Sequence, residues 1–128
     1  MCVSRILLAS LIALGVGCQA HAEDCDSTQA AMNQCASKAY ADLDAELNRL
    51  YKQQMDWLHT PAKKQALKNA QRKWLAYRDA ECKYRAGDRK EGGSMWPMVQ
   101  AGCLADHTRV RVEQLKADVA CRTDGCVR

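Results

Sequence analysis

Leu67, Gln71, Trp74, Arg78 and Cys82 follow one another at spacings of three and four residues, so a helix through them carries all five on one face. The surrounding residues, Ala70 to Cys82, are mostly good helix formers. Leu67, Trp74 and Cys82 can pack on that face, but Gln71 and Arg78 can be buried only if other elements bring hydrogen-bond partners to them. A lone helix cannot satisfy these demands. The chain must therefore build further helices whose inner faces combine apolar and polar groups.

The domain available for this is small. Of the 128 residues, the first 22 have the form of an export signal: Arg5 as the positive region, Ile6 to Val16 as the apolar core and Ala20-His21-Ala22 as the cleavage site. That apolar run is too short to span a bilayer, so no transmembrane segment is expected. A competing resemblance to a lipoprotein site, Leu14-Gly15-Val16-Gly17-Cys18, would make Cys18 a lipid anchor, but its leucine stands one residue too far upstream. A soluble exported domain over residues 23–128 is the favoured expectation, of a size at which a core alone is marginal.

Covalent staples are at hand. Cys25, Cys35, Cys82, Cys103, Cys121 and Cys126 remain after the signal, and an even set in an exported chain reads as disulfides. Several connectivities are compatible with the sequence, the simplest joining neighbours: Cys25 with Cys35, Cys82 with Cys103 and Cys121 with Cys126. There is no C-x-x-C, and His59 and His107 show no partner at ligand spacing, so neither a metal nor a cofactor is expected. Removing Arg5 from the 19 Lys and Arg leaves 18 against 15 Asp and Glu, a net charge of +3. So balanced a charge gives no argument for a nucleic-acid partner.

Helical periodicity runs throughout. Asp26, Ser27 and Thr28 offer caps for a first helix over about residues 29–58, with Met32, Ala36, Ala39, Leu43, Leu47, Leu50 and Leu58 inward. Lys38 with Asp42 and Glu46 with Arg49 fall on its solvated side. Thr60-Pro61 ends that helix and starts a second, to about Arg85. Gly87 to Met98 is turn-rich and then carries large apolar side chains, so a loop is expected there. A third helix follows from about Pro97 to Val119, with Ala101, Leu104, Thr108, Val112, Leu115 and Val119 inward, and Cys121 to Cys126 reads as a stapled tail. The expected fold is an all-α, antiparallel three-helix bundle.

The ordered motifs Cys25-x9-Cys35, Asp44-Ala-Glu-Leu47-Asn48-x-x-Tyr51, Gln71-Arg72-x-Trp74-x-x-Tyr77-Arg78-Asp79-x-x-Cys82, Gly92-Gly93-Ser94, and Cys103 with Thr108-x-x-Arg111-x-x-x-Leu115 resemble the LprI-type lysozyme-inhibitor family. The resemblance covers nearly all of the chain between the signal and Cys121. It implies a secreted or periplasmic binding protein without catalytic activity, whose partner is a lysozyme-type muramidase.

Two groups of residues are candidates for carrying that role. Asp44, Asn48, Tyr51, Gln71, Arg78, Thr108 and Arg111 form a polar set expected between the helices, with Arg78 and Arg111 paired to Asp44, Asn48 or carbonyl groups. Gly92, Gly93, Ser94, Met95, Trp96 and Met98 form a loop that a Cys82–Cys103 bridge would clamp, and a rigid apolar tip suits occupation of an enzyme cleft. The alternative for Trp96 is to fold back and cap the bundle. Asp79 and Glu81 are adjacent-turn acids, a poor arrangement for hydrolysis, which calls for carboxylates across a cleft. The alternative function is a non-catalytic envelope structural or adaptor protein.

Overall fold

The computed structural model describes residues 24–124, with side chains described through Arg122. The export signal, Cys18 and Cys126 lie outside the described residues. Three helices fill the chain: α1, Gln29–Trp57; α2, Pro61–Ala86; and α3, Trp96–Asp124, with a short 3-10 turn at Gly93–Met95 before α3.

Local chemistry sets the helix ends. Thr28 caps α1 by accepting from the Ala31 amide at 3.1 Å. Thr60 does the same for α2 from the Lys63 amide at 3.3 Å, with Pro61 in the first turn, where its missing N–H costs nothing. Gly87 stops α2: its φ of 68° is left-handed, and its amide donates to the Lys83 carbonyl at 3.0 Å. Lys83 and Arg85 sit in the last turn, where positive charge complements the helix dipole.

The backbone of α3 comes close to both α1 and α2, whereas α1 and α2 approach each other over a shorter stretch. Leu47 and Leu50 of α1 and Val112 and Leu115 of α3 form the buried apolar cluster, with Tyr51, Leu67, Trp74 and Val119 packed against it. Fully burying such a side chain stabilises the fold by about 1.5–3 kcal/mol. The face of α2 runs as its spacing predicts: Gln71, Arg78 and Cys82 are buried, Leu67 and Trp74 half-buried. The surface pairs Lys38–Asp42 and Glu46–Arg49 form at 2.7 Å each, in solvent where they contribute little.

Three expectations need correction. Ala39 is exposed and Tyr40 takes the inward position, because the large ring follows the face that leads to Arg78. The third helix begins at Trp96, one residue before its expected start near Pro97, so Trp96 and Met98 belong to its first turn rather than to the loop tip, with proline accepted beside them. At the other end α3 runs on through Asp124, so Cys121 stands in the helix instead of opening a tail.

Two bridges join the expected neighbours. Cys25–Cys35 and Cys82–Cys103 span Cα separations of 5.8 and 5.6 Å. Cys121 is also disulfide-bonded, but its expected mate, Cys126, lies outside the described residues.

Candidate functional site

Arg78 is the hub of the polar set. Its side chain is 7% exposed, and it reaches from α2 to both other helices. Its Nε and Nη2 lie 2.9 and 2.8 Å from Asp79 Oδ1, its Nη1 donates to Thr108 Oγ at 3.4 Å, and Asp44 Oδ1 stands 3.6 Å away. The guanidinium carbon lies 5.6 Å from the Tyr40 ring centre and 5.2 Å from that of Trp74. Flat, weakly hydrated and rich in donors, guanidinium suits a slot between two rings. The ring of Tyr40 is itself affected: burial raises its pKa, partly offset by the positive charge of Arg78.

The remaining polar residues divide into smaller groups. Asn48 donates to Asp44 at 3.1 Å from an exposed position, holding the carboxylate that faces Arg78. Arg111 reaches neither Asp44 nor Asn48. It donates to Gln71 Oε1 at 3.1 Å and to Gln114 Oε1 at 3.0 Å, and burial holds its pKa below the ordinary arginine value. Tyr51 packs against the leucine and valine cluster. The expected set thus becomes two arginine-centred links and one packing residue. Sequence reasoning missed a third arginine: Arg122 donates to the buried Gln54 at 3.1 Å and to the Gln53 carbonyl at 3.0 Å, with Trp57 5.0 Å from its guanidinium carbon. Its signal was the placing of Gln54 among the inward leucines of α1.

The acids weighed for hydrolysis are both engaged. Asp79 serves Arg78, and Glu81 accepts from Arg85 at 2.7 Å.

The corner between α2 and α3 is held at several points. Trp96 donates from its indole nitrogen to the Gly87 carbonyl at 3.1 Å, and Arg89 stacks 5.7 Å from its ring centre. A Cβ on Gly92 would come within 2.7 Å of Trp96, so only glycine permits this close approach. Asn33 of α1 donates to the Ser94 carbonyl at 2.9 Å, and Gly93 turns with a φ of 56°. Trp96 therefore folds back as a brace, while Met95 is 52% exposed and Val99 is 40% exposed. Beside Trp96 lies an open concavity of about 390 Å³ bordered by Lys83, Asp88, Arg89 and Gln100.

The expectation that His107 has no partner at ligand spacing needs correction, since Cys103 stands four residues before it. His107 follows Cys103 by one helical turn, and the ligand atoms of Cys82, Cys103 and His107 lie within 4.8 Å of one another. In the structure the two sulfurs are bonded to each other.

The sequence profile of a family described as Lysozyme inhibitor LprI matches residues 18–115, which include the Arg78 hub, the glycine corner and both described bridges. The chain belongs to the LprI lysozyme-inhibitor family. A protein of Rhizobium meliloti (strain 1021), itself uncharacterized, is 40% identical over 101 residues, covering 70% of this chain and 72% of that one. No solved structure gives a significant match. The family profile ends at the position of Leu115 and leaves Cys121 outside it.

Proposed function

We propose that this LprI-family protein inhibits a lysozyme-type muramidase outside the cytoplasm, with the α2–α3 corner entering the enzyme's cleft. Residues 1–22 then serve as the export signal and residues 23–128 as the inhibitory domain. Among the described residues no helix is long and apolar enough to cross a membrane.

The observation that supports this most directly is Met95, a half-exposed apolar side chain at the tip of a corner restrained by the Trp96–Gly87 and Asn33–Ser94 bonds and by the Cys82–Cys103 bridge. An apolar anchor on a fixed backbone loses little entropy on binding. Methionine also adapts to an irregular cleft. The Arg78 cluster serves differently, since its groups already satisfy one another inside the bundle. Asp24, Asp26, Asp88 and Glu91 lie at the same end as Met95, mixed with Arg89 and Lys90, so a strongly charged target gains little long-range steering.

The test is lysis of cell walls by several lysozyme types with increasing amounts of the oxidised protein. Saturable inhibition is expected, and Met95→Asp should weaken it about tenfold or more with the helical signal intact. Undiminished inhibition by Met95→Asp would place the contact elsewhere. No effect on any type would move the function to the envelope-adaptor alternative.

A further inference from the structure

We infer that reduction of the Cys82–Cys103 bridge converts Cys82, Cys103 and His107 into a three-ligand site for a zinc-like cation. Their ligand atoms already gather within 4.8 Å, from two helices that meet along this line. Two thiolates and an imidazole match the donor preference of zinc, with metal–sulfur and metal–nitrogen bonds of about 2.3 and 2.0 Å and a fourth position left open to water. Such bonds set the sulfurs roughly 3.8 Å apart and each sulfur roughly 3.6 Å from the nitrogen at tetrahedral angles. From the bonded arrangement the two sulfurs would move apart to those separations by side-chain rotation.

Access and support favour the same place. Cys82 is fully buried, but Cys103 and His107 are half-buried, and His107 borders an open concavity of about 200 Å³ with Arg85, Asp106 and Val110. The ring of Tyr77 meets the His107 imidazole edge-on at 5.6 Å and restrains its orientation. The neighbouring charges Arg85 and Arg109 are each balanced, by Glu81 and by Asp106, which lessens their opposition to a bound cation.

The chemistry balances with a dithiol as reductant. One of its thiolates attacks Cys103 Sγ, the sulfur–sulfur bond breaks, and the Cys82 thiolate leaves and takes up a proton. The second thiol of the reductant then displaces Cys103, so that two electrons and two protons pass to the protein and the reductant becomes a disulfide. Binding of the cation releases those two protons. The metal then links α2 to α3 through the same two residues as the disulfide, keeping the corner clamped under reducing conditions.

Anaerobic titration of the phosphine-reduced full chain with Co²⁺ tests this. One Co²⁺ per chain is expected, with sulfur-to-cobalt charge-transfer absorption that the oxidised protein lacks. His107→Ala should weaken binding roughly tenfold or more, and Cys82→Ser with Cys103→Ser should abolish the absorption although the other cysteines remain. Absorption that survives the double serine change, or equal affinity in His107→Ala, would overturn the assignment. Helical signal lost on reduction and not restored by Co²⁺ would overturn it as well.

Discussion

The two halves of the bundle are filled by different means. Toward the α1–α2 turn, Leu47, Leu50, Leu58, Val112 and Leu115 are buried and the core is mainly aliphatic, with Gln54 and Gln71 buried at its edge against Arg122 and Arg111. Toward the α2–α3 corner, the buried residues are Cys82, Ala101, Ala105, Thr108 and Arg78, small or polar without exception apart from the arginine's stem. Apolar burial there is too slight to hold three helix ends together, and that is the half in which Cys25–Cys35, Cys82–Cys103 and the Arg78 cluster occur. Polar links and a bonded Cys121 occur in the aliphatic half too, but where the core is thin covalent and polar fastening carries more of the packing. The exposed Met95 stands on that fastened half, so the same devices that compensate for a poor core also hold the corner still.

The sharpest way to break this contrast is to attack the aliphatic half. Leu115 is completely buried beside Leu47, Leu50 and Val112, and Leu115→Ala removes its packing and leaves a cavity. A loss of about 2–5 kcal/mol is expected, read as a lower urea midpoint with an unchanged slope. Because so small a domain unfolds as one unit, helical and tryptophan signals should fall together. Separate transitions would show the two halves to be independent.

Arg78→Met sharpens the contrast from the other side. The stem packing is largely kept, but the guanidinium contacts to Asp79, Thr108 and Asp44 vanish. The two carboxylates are 36% and 61% exposed and can regain water, so the loss should be about 2 kcal/mol, below that of Leu115→Ala. Hydrogen exchange should quicken most in α2 beyond Arg78 and in the first half of α3. A loss exceeding that of Leu115→Ala would reverse the ranking of the halves.

These halves were unequally legible in the sequence. Helical period alone placed Leu47, Leu50, Val112 and Leu115, since aliphatic side chains at three- and four-residue spacing have only one economical destination. The face bearing Gln71 and Arg78 was equally visible, but not its partners: a long flexible arginine can reach two helices, and only packing brings Asp44 and Thr108 to Arg78 and Gln71 to Arg111. Trp96 was undecided because a large ring beside glycines suits either a tip or a brace. The answer lay in the Gly92 approach and the Gly87 carbonyl, neither of which has a linear signature. Arg122 escaped for a similar reason, since Cys121 suggested a tail and the helix instead runs past it.

The smallest effect concerns pH and tests whether the fastened half includes Tyr40. Burial between α1 and α2 raises the phenol's pKa above its ordinary value near 10, against the pull of Arg78. The folded protein therefore holds this proton more tightly than the unfolded chain does. The corresponding stabilisation is complete below the unfolded value of about 10 and disappears as pH climbs from there through the folded value. Tyr40→Phe cannot ionise, so the gap between its Tm and that of the native protein should shift in the variant's favour across that alkaline window while staying level between pH 6 and pH 9. A gap that stays constant through the whole range would mean that the phenol meets the same environment folded and unfolded, and that the ring beside Arg78 is held by stacking alone.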